Sequence, residues 1–333
     1  MKVDRIIQVV DSHTAGESTR VVLGAGPIPG ASMVEKEDYV IKNQDSLRLT
    51  VLNEPRGHKG MVGALLTEPT SDEASFGVIF MDFVAYVDMC IHGSIGLVTT
   101  ALECGIVSKV EPETKVVFDS LAGTIAAFAQ VRSGDVHQVS VYNVPSFFYR
   151  THNIRDPLLD SVELDIAFGG NFYGIVSGKQ IGVRVRKGNI SELVRLGSSI
   201  LNSANSQIKV EHPTIGHINK IHGILIFDTP EDPAANSKNI VIGPRGMFDR
   251  SPCGTGTSAR IAALHAKGHL RLDEPFINES ILGTTFTGTA SKKVQVGNIT
   301  GIIPKISGSA YLTGFTSLII SRDDPLATGF SFP

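Results

Sequence analysis

Two of the three cysteines, Cys90 and Cys253, occupy near-duplicate settings in separate halves of the chain. The first setting reads Asp88-Met89-Cys90-Ile91-His92-Gly93-Ser94, the second Ser251-Pro252-Cys253-Gly254-Thr255-Gly256-Thr257-Ser258. Each leads into a helix-like run closed by a glycine, Gly105 or Gly268, at the same distance beyond its cysteine. A thiol at a helix N-terminus meets free backbone N–H groups and the positive end of the helix dipole, which favour a thiolate. The same N–H groups can cradle a substrate carboxylate. Two such thiols can work as a coupled acid and base on one α-carbon. One removes the proton from one face, the other delivers a proton to the opposite face, and the configuration inverts. Cys104, among Ala101, Leu102 and Ile106, reads instead as a packed core thiol.

The elements that must hold these thiols are mostly strands. Alternating runs cover Ile6 to Val10, Arg20 to Leu23, Gly77 to Val87, Lys115 to Phe118, Thr124 to Val131 and His137 to Val144. The clearest helical patterns are Gly93 to Glu103, Ile190 to Asn205 and Gly256 to Lys267. The order of parts after Cys90 is repeated after Cys253, and an opening strand with a glycine turn recurs as Val9 to Gly16 and Leu164 to Gly174. This pattern predicts an internal duplication with a boundary near Arg155-Asp156-Pro157. Residues 1–155, joined by a last strand at about 312–333, would form an α/β half carrying Cys90. Residues 156–311 would form the half carrying Cys253. Two such halves facing each other would enclose a cleft, the usual place for a small molecule.

Composition agrees with an ordinary globular chain: 333 residues, 42% hydrophobic, net charge -3. The balance of charge and the lack of a basic cluster interleaved with aromatics argue against a nucleic-acid partner. No apolar run approaches the roughly 18 residues of a membrane span. The opening Met1-Lys2-Val3-Asp4-Arg5-Ile6-Ile7 reads as a first strand and not as an export signal. Three cysteines argue against a disulfide framework and for a reducing, cytoplasmic setting.

Other chemistry-bearing residues carry weaker signals. Gly24 to Gly30 contains two prolines and reads as a turn, not a nucleotide loop. His212, His217 and His222 crowd one segment, but strand alternation would send His217 and His222 to opposite faces, so no metal site is expected. His13 and Glu17 flank an Ala15-Gly16 turn and read as structural; Arg56 and His58 lie in a glycine turn and read equally as backbone ties or pocket-shaping groups. No lysine sits in a recognisable pyridoxal-phosphate setting.

Asp11-Ser12-His13-Thr14-Ala15-Gly16-Glu17, Pro55-Arg56-Gly57-His58, Met89-Cys90-Ile91-His92 and Asp249-Arg250-Ser251-Pro252-Cys253-Gly254-Thr255-Gly256-Thr257 together resemble the proline racemase family, which includes 4-hydroxyproline 2-epimerases. The resemblance runs over nearly the whole chain. It implies an α/β (α+β) fold of two pseudo-symmetric halves like diaminopimelate epimerase, each a mixed sheet or barrel around a central helix, with the active site in the cleft between them. It implies a homodimer and racemisation of proline or 4-hydroxyproline without a cofactor. By position it makes Cys90 and Cys253 the catalytic pair. Backbone groups of Ile91, His92, Gly254 and Thr255 become the carboxylate cradle, Asp249 the partner of the substrate's ring nitrogen, and His217 a further substrate contact. A carboxylate beside a cationic secondary amine is sound chemistry on its own terms.

One position departs from the family pattern: Ile91 stands where Met-Cys-Gly-His is usual. A β-branched residue would be strained there if the backbone needed positive φ. Within the family, loss of one paired cysteine goes with dehydration of hydroxyproline, and both thiols are present here. The alternatives are a trans-3-hydroxy-L-proline dehydratase and an amino-acid-binding protein without chemistry.

Overall fold

The computed structural model describes residues 3–331 and divides into two units. One runs up to Val141 and resumes at Ser309; the other is Tyr142–Gly308. The chain begins β1 (Arg5–Thr14), β2 (Glu17–Val22), α1 (Met33–Leu52), β3 (Val62–Thr67), β4 (Phe76–Met81) and β5 (Tyr86–Val87). It goes on through α2 (Ile91–Glu103), β6 (Glu113–Ser120), β7 (Gly123–Arg132) and β8 (Asp135–Tyr142). Then come β9 (Phe147–Asp156), β10 (Asp160–Phe168), β11 (Phe172–Ser177), α3 (Ile190–Gln207), β12 (Ile221–Asp228) and β13 (Ser237–Ile242). The remainder is α4 (Gly254–Ala266), β14 (Phe276–Glu279), β15 (Thr285–Val296), β16 (Ile299–Gly308) and β17 (Ala310–Ile320).

Strand pairing repeats step for step. In the first unit β1 is antiparallel to β2 and β17, β2 is parallel to β3, β3 antiparallel to β4, and β4 parallel to β6; β6, β7 and β8 then form a meander. In the second, β10 is antiparallel to β9 and β11, β11 is parallel to β12, β12 antiparallel to β13, and β13 parallel to β14; β14, β15 and β16 form the meander. Each parallel step needs a crossover, and the four helices supply them: α1 and α3 the first, α2 and α4 the second.

The helices divide by burial. α3 is amphipathic, setting Leu193, Leu196, Ile200 and Leu201 against Ile224, Ile226, Ile240 and Ile242. α1 sets Val40, Leu47, Val51 and Leu52 against Leu65 and Ile79. α2 is buried at every position from Ile91 to Leu102, and α4 from Gly254 to Ala259, so each is the central helix of its unit. An all-round buried helix is held rigidly by close packing, which suits the start of α2 or α4 to carrying a positioned group.

The duplication extends to a buried carboxylate at the end of one strand in each meander. Asp119 accepts hydrogen bonds from the N–H groups of Thr70 and Ser71 and from the hydroxyls of Thr70, Ser71 and Thr124. Glu279 accepts from the N–H groups of Glu231 and Asp232 and from Lys238 Nζ at 2.8 Å. Burial alone would raise both carboxyls, but these donors hold both below the ordinary range. Their stabilisation is therefore present above the unfolded carboxyl pKa and is lost as pH falls through the lower folded one. The Lys238 and Glu279 side chains are only 3% and 2% exposed. Lys238→Met should leave Glu279 without its cation and destabilise the second unit by about 3–5 kcal/mol, read as a fall in urea midpoint.

Three features differ from the sequence reading. α1 is a full helix where none was expected; its backbone breaks at Gln44 (φ -137°, ψ 15°), which interrupts the apolar period, and it follows the Gly24 to Gly30 loop. The run Gly77 to Val87 is two strands, because Asp82 Oδ1 accepts from the N–H groups of Val84 and Ala85 and turns the chain. Arg155-Asp156-Pro157 lies in the hairpin between β9 and β10, inside the second unit, and the division falls at Val141/Tyr142. Among the described residues no helix is long and apolar enough to cross a membrane.

Candidate active site

Cys90 is the N-cap of α2 and Cys253 the N-cap of α4. Their sulfurs are placed alike: Cys90 Sγ accepts from Gly93 N–H at 3.4 Å and Cys253 Sγ from Gly256 N–H at 3.4 Å. This is the bond an N-cap serine would make, with sulfur in place of oxygen. Both thiols are buried. A side chain at the second helical position borders each sulfur. For Cys90 it is His92, whose ring nitrogens lie 3.6 and 3.7 Å from Sγ. For Cys253 it is Thr255, whose hydroxyl lies 3.8 Å away.

Glycine at the third helical position leaves room for the sulfur in both copies. A Cβ on Gly93 or Gly256 would stand 3.0 Å from its cysteine sulfur. Gly256→Ala should push the sulfur aside by a few tenths of an ångström and cut kcat roughly tenfold. Thermal denaturation should show the fold kept, and an unchanged kcat would mean the sulfur position is not critical.

The two caps reach their geometry differently. Cys90 is extended (φ -138°, ψ 108°), while Cys253 lies at φ 60°, ψ 101°, a region that residues other than glycine seldom occupy. The surroundings over-determine that strained turn. The Pro252 carbonyl accepts from Asn239 Nδ2 at 3.0 Å, Asn278 Nδ2 at 3.3 Å and Thr257 Oγ1 at 3.0 Å. Asp249 Oδ1 accepts from Ser251 N–H and hydroxyl at 2.8 and 2.7 Å, and Ser251 Oγ accepts from Cys253 N–H at 3.1 Å. In the first unit Thr14 Oγ1 donates to the His92 carbonyl at 2.8 Å, tying the β1–β2 hairpin to the start of α2.

Burial dominates the chemistry of Cys253 and pushes its thiol well above the ordinary range; the Asp249 carboxylate adds to this, and Gly256 N–H and the Thr255 hydroxyl oppose it. The helix-end preference for thiolate is thus outweighed at Cys253, which rests as a thiol. Tyr173 on β11 completes the surroundings. Its hydroxyl lies 2.7 Å from Thr255 Oγ1 and 3.9 Å from Cys253 Sγ, and burial foremost raises its pKa well above the ordinary range. Sequence reasoning missed Tyr173, because an apolar strand with one tyrosine reads as core. Cys104 is not the core thiol expected: it is the half-buried C-cap of α2, with Ile106 beside it exposed, and burial first and then Glu103 raise its pKa.

A family model described as proline racemase matches residues 9–331. The chain belongs to the proline racemase family. The proline racemase of Clostridioides difficile is 46% identical over 332 residues, covering 99% of each chain. A trans-3-hydroxy-L-proline dehydratase of Burkholderia ambifaria is 39% identical, again covering 99% of each. The crystal structure of a hydroxyproline epimerase from Agrobacterium vitis with bound trans-4-hydroxy-L-proline superposes with a TM-score of 0.92 at 32% identity, covering 100% of this chain and 97% of that one.

Ile91 is the first residue of α2 and is not among the positive-φ residues, so its departure from the proline racemase pattern brings no backbone strain. Gly254 opens α4 in the corresponding place. Asp249 is partly buried and lies one hydrogen-bonded serine from Cys253. His217 lies in the exposed segment ahead of β12 and not in a strand, so the expected alternation with His222 does not apply. His212 packs its ring on Phe168 and Phe147. Among the described residues no group of three or more His, Cys, Asp or Glu could hold a metal ion. His13 Nδ1 accepts from Gly16 N–H across a hairpin whose turn residues Ala15 and Gly16 both have positive φ. Arg56 gives its donors to the carbonyls of Ile319, Leu326 and Ala327 and to Asp324, so it ties down the C-terminal segment.

Proposed function

We propose that this chain is a cofactor-independent isomerase that inverts the α-carbon of proline, and of 4-hydroxyproline, with Cys90 and Cys253 as the two proton carriers. The observation that carries the reading is the matched pair of N-cap thiols, each holding its sulfur on the N–H of a glycine at the third helical position. The first-turn N–H groups of Ile91, His92, Gly254 and Thr255 would take the substrate carboxylate, as helix starts do for anions. Asp249 would neutralise the ring ammonium, and His217 would contact the substrate from its loop. In one direction Cys90 as thiolate takes the α-proton and Cys253, resting as a thiol, donates from the other face. The reverse reaction starts from the opposite protonation states, and the pair titrates as a unit. Proline and its 4-hydroxy derivative differ by one hydroxyl, which an apolar pocket rejects weakly, so one enzyme can serve both.

The same reading includes a homodimer and a reducing compartment, the latter supported by three free cysteines. Sedimentation analysis tests the first.

Proton NMR of the purified protein in heavy water, with L-proline and then trans-4-hydroxy-L-proline, tests the function. Loss of the α-proton signal together with optical inversion is the expected result, and the two rates rank the substrates. Exchange on neither, with thiols reduced, would overturn the reading. A dehydratase would consume trans-3-hydroxy-L-proline and yield a cyclic imine; the Burkholderia relative keeps that alternative open. β-Elimination requires only one base, and two matched thiols favour inversion. Tight binding without exchange would mark a binding protein.

A further inference from the structure

Arg260 stands on α4, two turns beyond Cys253, and borders a cavity of about 510 Å³ inside the second unit. Its guanidinium lies 3.8 Å from the centre of the Phe227 ring. The buried Nε has no hydrogen-bond acceptor among the described residues. Among the described residues the guanidinium enters no ion pair; Asp165 acts on it from a distance and is itself clasped by Lys267 at 2.6 Å. Burial pushes Arg260 down to about 10, as befits a cation short of counter-charge. An aromatic face compensates a guanidinium from above but leaves its planar edge, the part that fits an oxyanion with two parallel hydrogen bonds, unused.

The rest of the lining has the same bias. The two acids that border the cavity are already committed. Asp228 accepts from Arg184 Nε and from the N–H groups of Val185 and Thr229, and Glu274 accepts from Arg271. Lys179 and His269, also on the lining, have no such partners among the described residues. The uncommitted charge facing the cavity is therefore cationic. Phe227, Leu264, Leu270 and Phe276 supply an apolar wall.

We propose that this cavity binds a small organic oxyanion, a carboxylate or phosphate on an apolar body, with Arg260 as its anchor and Lys179 and His269 at its rim. The site is separate from the Cys253 turn and does not rest on the proposed reaction.

The test is a titration of the full chain by two-dimensional amide NMR with benzoate, phenyl phosphate and neutral benzamide, in which residue-resolved shifts distinguish the cavity from the Cys90 and Cys253 turns. Saturable shifts confined to 176–182, 227–230 and 260–276 with either anion, and none with benzamide, are the expected result. The stronger of benzoate and phenyl phosphate identifies the headgroup. Arg260→Gln should weaken the anion roughly tenfold or more. Should that variant fail to fold, the exposed Lys179→Ala and His269→Ala changes and the benzoate–benzamide contrast decide instead. Equal binding of benzamide, unaltered binding by Arg260→Gln, or shifts only around Cys90 and Cys253 would overturn the proposal.

Discussion

Cys253→Ser should lower proline racemisation by about 10³-fold, within the range that a positioned acid–base group contributes. The change isolates chemistry from structure, because serine is itself a favoured N-cap and can accept from Gly256 N–H as the sulfur does. The melting temperature should therefore stay close to that of the parent. The hydroxyl cannot take the sulfur's place as a proton carrier, since its pKa is far above that of a thiol. With Cys90 still present, one enantiomer should continue to exchange its α-proton with heavy water while no inverted product accumulates. That split, exchange on one face without inversion, is what separates a two-thiol mechanism from a single base with a free intermediate. Turnover above about a tenth of the parent rate would sink the assignment.

How much of this arrangement was legible beforehand depends on how local each cause is. The helices after both cysteines could be read because a short polar or glycine-rich lead, an apolar run and a closing glycine are contiguous signals; α2, α3 and α4 begin at Ile91, Ile190 and Gly254, within two residues of the expectation. α1 could not, because its kink at Gln44 shifts the apolar face part-way along, leaving no single stripe over Met33–Leu52. The duplication was visible as an order of parts, but the matching sequence of parallel and antiparallel steps belongs to long-range pairing. The positive φ of Cys253 was invisible for the same reason. Asn239 and Asn278 hold the Pro252 carbonyl from β13 and β14, and neither strand announces that task in its own residues. Tyr173 approaches the sulfur from β11, about half the second unit away in sequence. Ile91 shows the converse: a departure that would be strained only at positive φ is an ordinary first helical residue.

Asp249→Asn should change two measured quantities that a merely structural residue would not change together. Asparagine keeps an Oδ1 acceptor for the Ser251 N–H and hydroxyl, so the link to Cys253 N–H survives. What is removed is the charge. Without it the ring ammonium of proline loses its counter-ion. Truncating such a pair costs about 2–5 kcal/mol, which corresponds to a KM increase of roughly thirtyfold or more. The second effect concerns Cys253 directly. Burial is the larger cause of its raised pKa, and the Asp249 carboxylate adds to it. Removing that negative charge makes the thiolate less unfavourable, so the pKa must move down towards the ordinary thiol value. In the direction that uses Cys253 as acid, activity is lost as pH rises through this pKa. The alkaline limb of kcat should therefore shift to lower pH in Asp249→Asn, and the limb for the opposite enantiomer, which needs Cys253 as thiolate, should gain at the same pH. Initial rates with each proline enantiomer across pH 7 to 10 measure both effects. An unchanged KM would remove Asp249 from substrate binding, and unmoved limbs would mean that Cys253 does not titrate in the rate-determining step.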